Sequence, residues 1–518
     1  MSKQALPLGI DVDETALRFR APDGVVLDVL FDEHRVWSFD TDDHPVGGDG
    51  LREVAWPEPI RTRLDGHSRI GLREHVSGAM VGSLDAHFGT SEDRIAMVDG
   101  SGRPLSLTKW GRLNRSFATT DRAIIEGYLD QVEAVLAVLR DDCGVPAFLS
   151  FGSLLGAVRE GKLIGHDVDV DLGYFSSEQH PADVMLESFR IERVLRSKGW
   201  RVVRENGGFL ALFFKQADGT TRNLDIFTAF RAGDRLFQVH DVATHADESA
   251  VLPLGTIDFE GRPMPVPAVP EVFLEAAYGP DWRIPNPAFK FSTPQADRRR
   301  VAGWFGGLRG RRDFWREFYG KFGDRVPRKR TTFAAWVADR EPAGTLVDVG
   351  CGNGRDSWFF AARGFDVTGL TLLPRLATKH PASRRQEAAP DIEQCNLDSL
   401  RQTLATGARL ARLPGDKVVY GRFVLNNLTD AGRANFWRLT AMTLSGGGRC
   451  YLEFRTLQDR ALPKEFGPHF RRHLHPDRVV AEAAARGGRV VHREAGRGLS
   501  PLGAEDPHLC RLILEWSR

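Results

Sequence analysis

Residues 151–172 read FGSLLGAVREGKLIGHDVDVDL, and the rest of the chain is best interpreted outward from them. A short apolar run, Ala147 to Leu149, precedes them and reads as a buried strand. Gly152 and Ser153 follow as a turn, and Leu154 to Arg159 reads as the first turns of a helix. The alternation Val168-Asp169-Val170-Asp171-Leu172 predicts a strand with both carboxylates on one face. An unpaired buried charge is very costly, so such a pair calls for a partner. Oxygen-only ligands at this spacing suit Mg²⁺ or Mn²⁺. A lone Asp-x-Asp is more often a solvated edge or turn. The Gly-Ser pair upstream alters that balance: glycine lets the backbone approach a ligand, and amides opening a helix favour an anion. Phosphate held beside carboxylate-bound metal is the layout of nucleotidyl and phosphoryl transfer.

GSLLGAVREGKLIGHDVDVD resembles the signature of the LicD/fukutin-related group within the nucleotidyltransferase fold. It departs at His166, where Trp is usual, and at Val168, where Asp is usual; Asp167, Asp169 and Asp171 are kept. Downstream, Asn223-Leu-Asp-Ile-Phe227 resembles the strand that carries a third carboxylate, Asp225. Gly261 to Pro267, Glu271 to Leu274 and Tyr278 to Trp282 resemble the closing segment. The resemblance implies metal-dependent transfer of a phospho-alcohol from a CDP-activated donor to a sugar hydroxyl of a cell-surface or lipid-linked glycan. Phosphocholine and ribitol phosphate are groups this family transfers. It implies Asp169, Asp171 and Asp225 as catalytic metal ligands, with Asp225 completing the metal shell or drawing the acceptor's proton. It implies Gly152, Ser153, Arg159 and Asp167 at the donor phosphate. Read alone, Asp225 fits a satisfied buried carboxylate, and Arg159 fits an exposed structural arginine equally well.

A second motif lies at residues 345–357, TLVDVGCGNGRDS. An apolar strand leads into Gly350, Gly352 and Gly354 and then into a helix, a turn that brings backbone close to a nucleotide-like ligand. The motif resembles motif I of class I S-adenosylmethionine (SAM) methyltransferases. Strand-like runs at 366–370, 417–421, 448–454, 489–492 and 509–516, with helices between, are similar to that family's doubly wound sheet. The resemblance implies SAM as cofactor, bound by Asp348, Gly350, Cys351, Gly352, Gly354, Thr371 and Asn396. Thr371 stands where an acidic residue usually takes the ribose hydroxyls, and Asn396 where Asp often meets adenine. Asn426 stands where relatives often carry His. The implied methyl acceptor is a hydroxyl or phosphate of the same glycan.

At 518 residues the chain is too long for one ordinary core. The expected organisation is multidomain: a β-sandwich-like accessory domain (1–115), an α+β nucleotidyltransferase-fold domain (116–295), an Arg/Gly-rich linker (296–315) and a C-terminal α/β doubly wound, Rossmann-like domain (316–518). In the first of these, runs at 24–31, 35–39, 70–72 and 94–98 read as strands, with no cluster of catalytic side chains. Lys+Arg 70 against Asp+Glu 69 gives a net charge of +1, which argues against a nucleic-acid partner. The five cysteines lack metal-ligand spacing, which suits reduced thiols and argues against zinc. No apolar leader opens the chain and no 18-residue apolar run occurs, so the expected location is cytoplasmic, at the inner face of the membrane if the acceptor is lipid-linked. The arginines of 298–312 suit a solvated linker or a basic strip for peripheral membrane contact. Three other readings stay open: a methyltransferase whose first half only binds glycan, a scaffold with both sites dead, and a nucleotidyltransferase that makes the activated donor. Nothing in the sequence speaks to oligomeric state.

Overall fold

The computed structural model describes residues 10–517 apart from Trp110, His240 and Asp241, Ser292, 307–309, 379–387 and Pro468. The chain divides into two compact units, Met1–Gly307 and Leu308–Arg518.

In the first unit, the N-terminal segment forms a four-stranded sheet ordered His34–Asp40, Val26–Phe31, Gly66–Glu74, Met80–Phe88 and a three-stranded sheet, Ile10–Val12, Ala16–Phe19, Arg52–Ala55. Leu17, Phe19, Val29, Phe31, Val54 and Trp56 share one apolar core between them. The run at 94–98 makes only isolated bridges, at Arg94 and Val98, not the expected strand. Asp28, buried in this sheet, accepts from Arg35, Arg73, Ser38 and His75. Burial pushes its carboxyl up, but hydrogen bonds from His75 and Ser38 and the Arg35 charge hold it well below the usual range.

A mixed sheet follows, ordered Ala147–Leu149, Val170–Ser176, Thr221–Ala232, Phe209–Lys215, Arg201–Asn206. Helix Arg122–Asp141 packs on it through Ile125, Tyr128, Leu129, Val132, Val135, Leu136 and Leu139, spaced three and four apart. Asp121 caps it by accepting from the Ala123 amide. The helix also positions the acidic strands. The Tyr128 hydroxyl donates to the Asn223 carbonyl (2.5 Å) and accepts from the Val170 amide (2.7 Å), joining the two strands that carry Asp171 and Asp225. Two expectations are corrected here. Gly152 and Ser153 are not a turn: the helix begins at Phe151 and both lie in its first turn. The acidic strand begins at Val170, so Asp169 sits one residue before it.

The stretch 296–315 is not a bare linker. It holds helix Gln295–Phe305 and the first half of helix Gly310–Phe322, and the division between units falls between them. Arg298, Arg299 and Arg300 are exposed, but Val301 and Phe305 pack against Val184, Phe230, Phe237 and Val239. The arginines masked this apolar spacing of four. Arg309 and the Arg311 side chain lie outside the described residues. Phe305→Ala is therefore expected to destabilise the first unit by about 3–5 kcal/mol in urea unfolding. A cost below about 1 kcal/mol would mean that this helix is only a tether.

The second unit holds a seven-stranded sheet ordered Asp391–Gln394, Asp366–Thr371, Thr345–Val349, Lys417–Arg422, Gly448–Arg455, Leu509–Trp516, Arg489–Gly496. The first five strands are parallel, and Leu509–Trp516 runs antiparallel to both its neighbours. The order reverses at Thr345–Val349, whose carboxyl end carries the glycine loop, at the switch point where ligands of doubly wound sheets bind. No helix among the described residues is long and apolar enough to cross a membrane.

Candidate functional site

In the first unit the parallel pairing of Val170–Ser176 with Thr221–Ala232 sets Asp171 directly beside Asp225. Asn223 donates its amide to both Asp169 (3.0 Å) and Asp225 (3.2 Å). The Gly152 amide donates to Asp171 at 3.3 Å, and a Cβ at Gly152 would lie 2.5 Å from an Asp167 oxygen. The Asp171 amide in turn donates to the Ser153 hydroxyl (2.9 Å), so Ser153 helps position the acidic strand. Asp167, Asp169 and Asp171 thus converge on the start of one helix, with Asp225 on the adjoining strand.

The electrostatics of this group call for a cation. Burial and the neighbouring Asp167 carboxylate push Asp169 up to about 6. Burial and Asp169 push Asp171 and Asp225 well above the usual carboxylate range. The Gly152 and Val168 amides, the Asn223 amide and the single Lys109 charge do not balance four carboxylates. An all-oxygen donor set of this charge fits a hard divalent ion such as Mg²⁺ or Mn²⁺. Among the described residues, the trio whose ligand atoms all lie within 4.8 Å of one another is instead His67, His87 and Glu92, on a surface hairpin. The aspartates form no such trio among the described residues.

Gly152, Arg159, Asp167 and Asp169 line a cavity of about 340 Å³. Asp171, Asp225 and Ser153 are joined to that lining through Gly152 and Asn223 rather than being part of it. Tyr278, Asp281 and Trp282 of the expected closing segment lie on the wall, with Phe289 and Phe291. Arg159 pairs with Glu160 at 2.9 Å and is mostly buried. His166, in the position of the family's Trp, lies edge-on to His75 at 6.1 Å. Burial, with Arg35 and His75 nearby, pushes it down to about 3, so it is neutral at pH 7.

Sequence reasoning missed the opposite wall. Arg35, Glu74, Leu107 and Lys109 come from the segment expected to be accessory. Lys109 lies 5.6 Å from the Phe291 ring centre. Burial would push its ammonium down, but the Asp167 carboxylate and Tyr278, with Asp171 and Asp169, hold it well above the usual lysine range. The two segments are laced together beside this site. Phe117 and Ala118 donate to the Asp167 and Gly165 carbonyls, and Arg115 pairs with Asp218 at 2.6 Å. Lys109 follows a two-residue strand and has no motif around it, so no local signal marked it.

In the second unit a cavity of about 270 Å³ is lined by Asp348, Gly350, Cys351, Gly352, Thr371 and Asn396. Gly354 lies at the loop's exit, where it caps the next helix. All three glycines have positive φ (+82°, +57° and +78°). The amides of Gly350 and Cys351 both donate to the Leu370 carbonyl, which fixes the turn. Asp348 is buried, accepts from Ser357 at 2.6 Å, and is pushed up to about 7 by burial. Burial likewise pushes the Cys351 thiol well up, so it is a poor nucleophile here. Thr371 accepts from the Leu373 amide, and Asn396 from the Asp398 amide. Asn426 is a structural residue: it donates to the Arg455 and Arg472 carbonyls and accepts from the Arg455 amide. Also on the wall, and unforeseen, are Trp315, Phe318 and Tyr319 of helix Gly310–Phe322 and, packed on that helix, Phe466 and His469, with Arg471. The spacing Trp315, Phe318, Tyr319, Phe322 is a helical signal that the expected linker boundary cut through.

Residues 144–269 match the family LicD/FKTN/FKRP, nucleotidyltransferase domain. It is 29% identical over 252 residues to ribitol-5-phosphate transferase FKTN of Mus musculus, covering 42% of this chain and 53% of the relative. It is 29% identical over 182 residues to the Homo sapiens FKTN, covering 32% and 38%. The chain therefore spans about half or less of the length of these curated relatives. Among solved structures, it is similar to a SAM-dependent methyltransferase from Anabaena variabilis (16% identity, TM-score 0.32, 40% of this chain and 94% of that one). It is also similar to the glycopeptide N-methyltransferase MtfA solved with SAM (19% identity, TM-score 0.28, 37% and 95%).

Proposed function

We propose that the first unit transfers a phospho-alcohol from a CDP-activated donor to a sugar hydroxyl of a glycan, and that the second methylates the same class of polymer using SAM. The observation that carries the first reading is the set of buried carboxylates gathered at the start of one helix, of which Asp167 and Asp169 line a cavity together with Lys109, Arg159 and the rings of Tyr278, Phe289 and Phe291. Asp169, Asp171 and Asp225 would hold a divalent ion. When bound, it supplies positive charge to the donor's pyrophosphate and to the leaving CMP. Asp167 and the Gly152 amide fix the first turn of the helix against the acidic strand. Lys109 and Arg159 stand beside the carboxylates, where they can meet the donor's phosphates. Tyr278, Phe289 and Phe291, with ring centres 5.1–5.5 Å apart, offer a face for the base or sugar. Asp225, pushed up by burial and Asp169, suits either a metal ligand or the group that accepts the acceptor hydroxyl's proton.

The test is CMP release from a panel of CDP-alcohols with Mg²⁺ and glycan acceptors. Release of pyrophosphate from CTP and an alcohol phosphate would instead identify an enzyme that makes the donor. Lys109→Met is expected to raise the KM for the CDP-alcohol about 10- to 100-fold, the loss of one charge-assisted contact. An unchanged KM and kcat would remove the N-terminal segment from the donor site.

For the second unit, the left-handed glycine turn at the switch point and the buried Asp348 fit a SAM-sized ligand. Gly350, Gly352, Thr371 and Asn396 would hold it, and when bound it supplies an electrophilic methyl group. Two activities on one chain raise each other's effective concentration on a shared polymer.

A further inference from the structure

The cavity of the second unit has, beside the glycine loop, a wall that the cofactor reading leaves unused. Arg422 ends strand Lys417–Arg422, and Phe423 follows it with φ +56°, a left-handed conformation that is uncommon outside glycine. Such strain persists where surrounding contacts impose it, often at ligand sites. Here the turn sets the Phe423 ring between two guanidinium groups: Arg422 lies 4.0 Å and Arg455 4.9 Å from its centre. All three residues line the cavity, as does Arg471.

The carboxylates nearby are already taken. Glu453 pairs with Arg422 and with Arg511, both at 2.9 Å, and accepts from Ser500. Asp459 pairs with Arg455 and Lys464, and Glu505 with Arg455. Among the described residues no carboxylate lies within ion-pair distance of Arg471. Its one hydrogen bond there goes to a neutral ring: Nη2 donates to His469 Nε2 at 2.6 Å. His469 Nδ1 donates to the Phe470 carbonyl, which fixes the tautomer with Nε2 as acceptor.

The same bonding commits both ring nitrogens of His469. The Nε2 lone pair of His469 is occupied by Arg471. Asp348 accepts from Ser357, Asp356 from Thr331 and Tyr420, and Asp398 from Thr429. Asn426 is committed to backbone. The His469 ring is therefore not free to take a proton from the acceptor, which suits an acceptor already ionised at pH 7.

We propose that this wall is an oxyanion subsite centred on Arg471, and that the acceptor of the second unit carries an ionised phosphate monoester or a carboxylate. The proposal rests on the reading of this unit as a methyltransferase and narrows its substrate class. A planar guanidinium matches either group bidentately. Arg422 and Arg455, stacked near the Phe423 ring and already paired with carboxylates, frame the subsite and leave Arg471 to bind the anion.

The experiment is calorimetry on the full chain, with and without S-adenosylhomocysteine, using glucose 1-phosphate, glucuronate and uncharged methyl glucoside as probes. One of the two anions is expected to bind at least about tenfold more tightly than methyl glucoside, and which one does so tells phosphate from carboxylate. Arg471→Gln is expected to erase that preference and Arg471→Lys to keep part of it, while homocysteine-nucleoside affinity stays within about twofold. Equal binding of all three probes, or an anion preference indifferent to both variants in chains with parental thermal melts, overturns the subsite. Loss of S-adenosylhomocysteine binding with an Arg471-dependent anion preference intact would leave the subsite standing and overturn the methyltransferase reading instead.

Discussion

Asp171→Asn and Asp225→Asn are each expected to lower CMP release from a CDP-alcohol by about 10³-fold or more, while the chain stays folded. The two residues are register partners on adjacent parallel strands, so each would contribute a ligand to one ion. An amide oxygen can still coordinate, but it brings no charge to offset the pyrophosphate. Stability should move the other way. Asp169 titrates at about 6 in the fold against 3.8 unfolded, chiefly through burial. A carboxyl raised on folding costs nothing below the unfolded value, and its penalty grows as pH climbs from 3.8 to about 6. In chelator, Asp169→Asn should therefore match the parent below about pH 4 and exceed it by about 1–3 kcal/mol above pH 6. Saturating Mg²⁺ should stabilise the parent and leave Asp171→Asn nearly unmoved, because only the parent binds the ion tightly. Near-normal turnover in either strand variant, or equal stabilisation of both chains by Mg²⁺, would show that these carboxylates hold no catalytic metal.

The acidic strand and the glycine loop were legible because their chemistry is local. Asp171 and Asp225 each sit in an apolar run where a carboxylate is anomalous, and Gly350, Gly352 and Gly354 punctuate a strand-to-helix junction. What escaped was non-local. Lys109 reaches the carboxylates only because Phe117 and Ala118 bond to the loop around Asp167, a contact that no spacing encodes. Arg471 lies far along the chain from strand Lys417–Arg422, and His469 makes it informative only once the fold brings them to one wall. The helices within 296–315 were missed for a different reason. Arginines dominate the composition there, yet Val301, Trp304 and Phe305 pack the first helix on the core and Asp297 pairs with Arg235. Gly152 and Ser153 failed as a turn because glycine is tolerated at a helix start when backbone must pass close to a side chain, here Asp167.

Gly352→Val is expected to weaken SAM binding by at least about 100-fold in calorimetry. Gly352 has φ +57°, where a β-branched residue is strained by sterics that no rotamer relieves. Its Cβ would also lie 2.6 Å from the Tyr319 hydroxyl. That hydroxyl ends a flexible side chain and can retreat; the backbone cannot, so the turn that lines the cavity must change shape. A left-handed L-residue costs roughly 1–2 kcal/mol and a displaced turn adds the lost ligand contacts, together about 3 kcal/mol. Thr371→Asp should act in the opposite sense. Thr371 ends strand Asp366–Thr371 and already accepts from the Leu373 amide. A carboxylate can take that amide with one oxygen and offer the other, charged, to a ribose hydroxyl. The gain is expected to be about 1 kcal/mol, nearly tenfold in Kd. If Thr371→Asp weakens binding while Gly352→Val abolishes it, the ligand lies over the glycine turn with its ribose elsewhere. If the parent chain shows no heat with millimolar SAM while its fold is intact, the cavity serves another ligand, and phospho-alcohol transfer by the first unit is the activity left to the chain.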